Sequence, residues 1–256
     1  MPVSIRKIAG IDLELFEDGA GPPLLLLHPG RGFVASDAYV ALLTKHRRLI
    51  APSHPGFGNS SLPLWLDHPS DIAIVYLELL DALGLARIDV IGGSIGGWIT
   101  AEMACMAPER FNKIVLVGPV GVKTGPSDKL DMPDVFAIAP DKLPTLLFHD
   151  PSKRRDPASM SDDELAISVR NWETVALLAW EPYMHNPKLK QRLHRVKNPT
   201  LFLRGESDGL ISADYLAKYA ALLPNATTAT IAAAGHVPES EQPEAFVTKV
   251  LSFLES

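Results

Sequence analysis

The chain has 256 residues, 46% hydrophobic and 21% charged, with a net charge of −6. It is long enough to bury a large core without staples, and it lacks the global basic field that would attract nucleic acid. The lone Cys105 excludes an intrachain disulfide and a multi-cysteine metal site, and no apolar run approaches the ~20 residues of a membrane span.

The N-terminus carries no signal-peptide pattern, so the expectation is a cytoplasmic α/β protein. Two alternating runs, Ser4–Ile8 and Ile11–Phe16, predict a β-hairpin. A rhythm follows in which a short apolar run ends in a Gly-rich or polar loop and a helix comes next. The runs are Leu24–Leu27, Leu49–Ala51, Ile88–Ile91, Ile114–Val117, Thr200–Leu203 and Thr228–Ile231. Helices are expected over Ile72–Leu83, Ile95–Met106, Ala213–Leu223 and Glu244–Leu254, several of them stopped by Gly84, Pro108 or Pro224. Buried strands alternating with helices predict a mostly parallel central sheet with helices on both faces.

Residues 119–198 break the rhythm. Seven of the chain's 22 prolines fall between Pro119 and Pro157. Ser161-Asp162-Asp163-Glu164 has the form of a capping box, and Leu165, Val169, Trp172, Ala176 and Trp180 recur at helical spacing after it. The expected organisation is a core of residues 1–118 and 199–256 with a helical insertion over 119–198.

In open α/β sheets, ligands bind beyond the carboxyl ends of the strands. The loops there present His28, Ser94, Asp208 and His236. Gly92-Gly93-Ser94-Ile95-Gly96 fits Gly-x-Ser-x-Gly between a strand and a helix, the setting of a nucleophile elbow. Glycines flanking such a turn let chains pass close together. The helix N-terminus behind it favours a developing oxyanion. A dinucleotide loop would need Gly where Ser94 stands; a merely structural turn is the other alternative. A nucleophilic serine needs a base and an orienting acid, in the order Ser, Asp or Glu, His. Asp208 in Gly205-Glu206-Ser207-Asp208 and His236 in Gly235-His236-Val237-Pro238 stand in that order, with Glu206 a rival for the acid.

With these motifs, Leu25–His28 and Pro55-Gly56-Phe57-Gly58-Asn59-Ser60, the sequence resembles the α/β-hydrolase fold superfamily, in its branch with a helical lid. The resemblance implies Ser94 as nucleophile, His236 as general base and acid, and Asp208 as its orienter. It implies an oxyanion hole from the Ile95 N–H and one N–H of the loop after Leu27. Pro29 has no N–H, so Gly30 takes the second position. The resemblance implies residues 119–198 as lid, no cofactor and no metal. His28, Arg31, Trp172 and Val237 are candidate substrate-pocket residues, with His28 also bracing its loop. Ser53 stands where the family often has a structural Asp.

The remaining histidines (His46, His54, His68, His149, His185 and His194) show no metal-ligand spacing and are expected on the surface or in the insertion. Cys105 and Trp98 are expected to be packing residues, and Lys153-Arg154-Arg155 a solvated loop. The leading expectation is a serine hydrolase of a small acyl substrate, most readily a carboxylic ester. One alternative is hydrolysis of a C–C bond in a dienoate, which Gly118-Pro119-Val120-Gly121 favours. Gly93, Val237 and Pro29 disfavour it, because those relatives usually carry Asn, Trp and a more Gly-rich loop there. Another alternative is a binding module on the same fold. No partner other than a small molecule is implied, and oligomeric state is open.

Overall fold

Successive residues of a strand face opposite sides of a sheet. In the computed structural model, which describes residues 2–256, that alternation builds two cores. Leu25 and Leu27 of β3 (Pro23–Leu27) point into one core, Leu24 and Leu26 into the other. β6 (Phe111–Val117) divides Ile114 and Leu116 from Val115 and Val117 in the same way. β7 (Thr200–Gly205) divides Phe202 from Leu201 and Leu203. A strand buried on both faces reads as an unbroken apolar run, which is why these segments are legible in the sequence.

The sheet also contains β1 (Val3–Ile8), β2 (Ile11–Asp18), β4 (Arg48–Pro52), β5 (Ile88–Gly93) and β8 (Ala226–Ile231). Its order is β1-β2-β4-β3-β5-β6-β7-β8. The pairs β1/β2 and β2/β4 are antiparallel, and all others are parallel. One face carries α2 (Pro69–Ala82), α3 (Ile95–Met106) and α6 (Ala213–Ala220). The other carries α1 (Ala38–Thr44) and α8 (Pro243–Glu255). This is the α/β-hydrolase fold. No helix among the described residues is long and apolar enough to cross a membrane.

Local chemistry sets the ends of the helices. His68 caps α2 by accepting the Ser70 N–H, with Pro69 at the first helical position. Gly84 follows at φ +66°. The Ser161 capping box closes as expected and opens α5 (Asp162–Ala179). Three short α-helices lie outside the expected set. α1 has an Asp37 N-cap whose side chain caps no helix N–H, the five-residue α4 (Leu143–Leu147) sits in the Pro-rich stretch between Pro119 and Pro157, and α7 spans only Pro238–Glu241.

The insertion contains one long helix, α5, where the helical spacing places it. It is not a separate layer. Val120, Val122, Val175, Leu178, Leu189 and Leu193 are buried in the same cluster as α2 and α3. Its two ends are joined where Gly121 donates to Met184 O and accepts from Asn186 N–H. α5 lies across two sheet-edge loops. Thr174 Oγ1 donates to Gly56 O, Arg170 to Gly58 O and Ser60 O, and Asn171 Nδ2 to Arg31 O.

Glu241, in the short α7 (Pro238–Glu241), ties the insertion to the loop after β8. It is 3% exposed. Its carboxylate accepts the N–H groups of Gly235 (2.6 Å), Asp150 (3.0 Å) and His149 (3.1 Å). Leaving a buried donor without its acceptor costs about 1–3 kcal/mol each. Glu241→Ala is therefore expected to lower stability by about 3 kcal/mol, as read from urea unfolding. A loss under about 0.5 kcal/mol, the usual size of a neutral surface change, would mean that the carboxylate is not the tie described.

Candidate active site

Ser94 sits between β5 and α3 with φ 50° and ψ −114°, a conformation that L residues avoid. Backbone hydrogen bonds hold it there. Its N–H donates to Val117 O at 2.8 Å, and its carbonyl accepts from the N–H groups of Gly97 (3.0 Å), Trp98 (3.2 Å) and Val120 (3.3 Å). The crossing is too tight for side chains. A Cβ on Gly96 would collide with Leu27 O and His28 O, and one on Gly92 with Thr100 Oγ1 and Gly96 O. These glycines bring the α3 N-terminus against the β3 loop. Ile95 is the first residue of α3, where an N–H has no intrahelical acceptor.

Asp208, in the loop after β7, is 6% exposed and fully engaged. Its Oδ1 accepts the N–H groups of Leu210 (2.9 Å) and Ile211 (2.8 Å), and its Oδ2 meets His236 Nδ1 at 3.0 Å. Glu206 is exposed and reaches only the Ala233 N–H. Between the two carboxylates, Asp208 is the one that pairs with the histidine. A carboxylate only accepts, so Nδ1 of His236 carries the proton and Nε2 keeps its lone pair. Nε2 is buried and has no hydrogen-bond partner among the described residues. Burial pulls the imidazole pKa down. The Asp208 charge and hydrogen bond, with the Glu239 carboxylate, outweigh burial and leave the pKa above that of free imidazole.

Gly118 brings His236 to the serine turn. It directly follows Val117, whose carbonyl holds the Ser94 N–H. A Cβ on Gly118 would stand 3.0 Å from His236 Cε1 and Nδ1 and 3.3 Å from Asp208 Oδ2. The base loop is also anchored to the insertion, since His236 N–H donates to Leu147 O at 2.7 Å. Gly209 N–H, beside Asp208, donates to Leu146 O at 3.1 Å.

In the β3 loop, Gly30 stands against α5, where a Cβ would meet Val175 Cγ2 at 2.9 Å. Two of the four expected pocket residues are otherwise committed. His28 is 1% exposed and both its ring nitrogens are engaged, so it is a buried brace with no group left for a substrate. The Arg31 guanidinium meets Asp37 at 2.7 Å, Ser240 at 2.9 Å and Glu239 at 3.6 Å, so its charge is already matched. Val237 is buried directly after His236. Trp172 is 39% exposed and packs 5.4 Å from Phe136.

His54, expected on the surface or in the insertion, is instead 0% exposed and stacks on His28 at 3.7 Å. Where Ser53 replaces the usual Asp, Glu14 of β2 supplies a carboxylate. It accepts from Ser53 Oγ (2.7 Å), Asn59 Nδ2 (2.6 Å) and Asn59 N–H (3.2 Å). No local pattern marks Glu14; Glu239 and Glu241 are marked only by their place after His236. Trp98 and Cys105 are buried as expected, and burial pushes the Cys105 thiol up to about 12. Among the described residues, no three of His, Cys, Asp or Glu are placed to hold a metal ion.

A model of the alpha/beta hydrolase family matches residues 24–249. The chain is 28% identical over 261 residues to a 2-hydroxy-6-oxo-2,4-heptadienoate hydrolase of Pseudomonas putida, covering 96% of this chain and 93% of that one. A thermophilic esterase from Thermogutta terrifontis superposes with a TM-score of 0.79 at 22% identity, over 100% of this chain and 98% of that one. A meta-cleavage product hydrolase from Pseudomonas fluorescens superposes with a TM-score of 0.75 at 20% identity, over 98% and 97%.

The Asp208–His236 pair has a measurable signature. A histidine whose folded pKa is raised contributes stability that is complete below its unfolded pKa of about 6.5 and is lost as pH rises through the folded value. Asp208→Asn removes the charge and leaves burial dominant. The His236 pKa is then expected to fall, as followed by the Cε1 proton shift in an NMR titration. An unchanged pKa would contradict the pairing.

Proposed function

The chain belongs to the alpha/beta hydrolase family and is a hydrolase; from that premise we propose that Ser94, His236 and Asp208 form its catalytic triad and cleave a small carboxylic ester. The observation that carries this reading is the buried Asp208–His236 pair, its Nε2 unpartnered, beside the strained Ser94 turn. Nε2 takes the Ser94 hydroxyl proton as Oγ attacks the carbonyl carbon. Ile95 and Gly30 N–H groups hold the resulting oxyanion. The alcohol leaves with the proton from Nε2. Water, deprotonated by the same nitrogen, then attacks the acyl-enzyme and frees Ser94. The insertion over 119–198 acts as the lid, with Val237 and Trp172 as candidate contacts to the acyl or alcohol group. Only a small-molecule substrate is required, and no cofactor.

A second reading is C–C bond hydrolysis of a dienoate, favoured by the Pseudomonas putida relative's own activity. Against it stand Gly93, Val237 and Pro29.

A panel of short p-nitrophenyl esters and a dienoate chromophore, each followed on mixing, separates these readings. Ester turnover without dienoate decay is the expected result, and the reverse would reassign the bond cleaved. Ser94→Ala should lower kcat at least roughly 10,000-fold; full activity in that variant would remove Ser94 from the mechanism. Tight ligand binding without turnover, and without labelling of Ser94 by a fluorophosphonate, would instead favour a binding module. Since the base works only when neutral, kcat/KM should fall as pH drops through the raised His236 pKa.

A further inference from the structure

The hydrogen bonds around His28 have only one consistent proton assignment. His54 N–H donates to His28 Nε2 at 2.9 Å. A backbone N–H is always a donor, so Nε2 is the acceptor and the proton sits on Nδ1. Nδ1–H then donates to Pro29 O at 2.8 Å. The same logic fixes the second ring. His54 Nε2 faces His28 O at 2.9 Å, and a carbonyl only accepts, so His54 carries its proton on Nε2. His54 Nδ1 is left to accept from the Tyr76 hydroxyl at 2.6 Å. All three side chains are 0–1% exposed.

Two paths therefore converge on the loop: Tyr76 and the His54 ring hold the His28 carbonyl, while the His54 N–H holds the His28 ring, whose Nδ1–H ends on the Pro29 carbonyl. The Pro29 carbonyl also accepts the Gly32 N–H at 2.9 Å. That carbonyl belongs to the same peptide unit as the Gly30 N–H. The unit is planar, with its C=O and N–H on opposite sides. Fixing the direction of Pro29 O therefore fixes the direction of the Gly30 N–H. The donor cannot be shared with the preceding position, because Pro29 has none.

We propose that His28, oriented by His54 and Tyr76, is a positioning residue that aims the Gly30 N–H into the oxyanion hole by holding the Pro29–Gly30 peptide plane. This rests on the serine hydrolase reading, in which Gly30 N–H is an oxyanion donor. The histidines never touch the substrate and act only through the peptide. A merely structural brace would support the loop without setting the strength of one hydrogen bond to the transition state, and that difference is measurable.

The readout is the ratio of turnover of an ester to that of its thionoester analogue, using the acyl chain that the wild type hydrolyses fastest. Sulfur is a poor hydrogen-bond acceptor, so a working oxyanion hole favours the oxygen ester, and a misaimed donor erodes that preference. His28→Gln keeps an acceptor near the His54 N–H but cannot reach Pro29 O. It should lower kcat on the ester roughly 100-fold with KM nearly unchanged, the scale of losing one oxyanion donor, and collapse the ratio. His28→Asn places an amide donor near the Nδ1 position and should recover most of that loss. Tyr76→Phe keeps the ring packing but removes the hydroxyl from His54, and should shift the ratio in the same direction by a smaller factor.

All measurements are made well below each variant's Tm. A ratio that stays at the wild-type value in folded His28→Gln overturns the proposal. Should that variant not fold, an unchanged ratio in Tyr76→Phe overturns it instead. Failure of the hydrolase reading looks different, because Ser94→Ala would then turn over the ester as fast as the wild type. If the wild type hydrolyses no ester, the rate of Ser94 phosphonylation by a fluorophosphonate probes the same hole, and His28→Gln leaving that rate unchanged counts equally against the proposal.

Discussion

The close crossing of the β5–α3 turn and the β3 loop is the constraint on which the rest depends. Two backbone segments meet where Gly96 lies against the carbonyls of Leu27 and His28, at a distance that no side chain permits. That approach forces Ser94 to φ 50°. It also sets the first N–H groups of α3 beside the loop that contains Gly30. On the serine hydrolase reading, the nucleophile in its strained turn and the two proposed donors are thus one packing event. Residues with side chains at 92 or 96 would separate all three at once, however well Asp208 and His236 were preserved.

The insertion belongs to this machinery more closely than a cover would. Its α4 end provides the carbonyls of Leu146 and Leu147, which hold the N–H groups beside Asp208 and on His236. α5 supplies Val175 against Gly30 and Asn171 against the Arg31 carbonyl. The segment proposed to shape the substrate space thus also fixes the backbone of the Asp208, His236 and Gly30 loops. Motion of the insertion as a rigid flap would break these bonds.

What could be read in the sequence follows from the range of the interactions involved. Strands buried on both faces announce themselves as apolar runs, and the Gly-x-Ser-x-Gly turn is a local steric requirement. The capping box at Ser161 spans three residues. By contrast, α1 opens at an Asp37 that makes no cap bond, so its seven residues carry little local signal. His54 looks like any surface histidine until His28 and Tyr76, 26 and 22 residues away, supply its partners. Glu14 reaches Ser53 across 39 residues and fills the place of an acid the sequence lacks there. The contacts of Leu146 and Leu147 are made by backbone carbonyls, which every residue has. The insertion resisted reading for that reason, since its side chains do not encode what its main chain does.

The charges around the base point to a division of labour on the serine hydrolase reading. Asp208 and Glu239 both favour a protonated His236, which helps the step in which imidazolium forms. A second buried carboxylate near an oxyanion hole would, on its own, oppose the negative charge that develops there. Arg31 answers that problem. It follows Gly30 directly, and its guanidinium faces Glu239 on the base loop and Asp37 on its own loop. One cation therefore offsets the Glu239 charge, while its contacts to Ser240 and Glu239 bind the His236 loop to the Gly30 loop. Arg31 is thereby a link between the two halves of the site, and its role follows from the carboxylates that surround it, with no substrate charge needed to explain it.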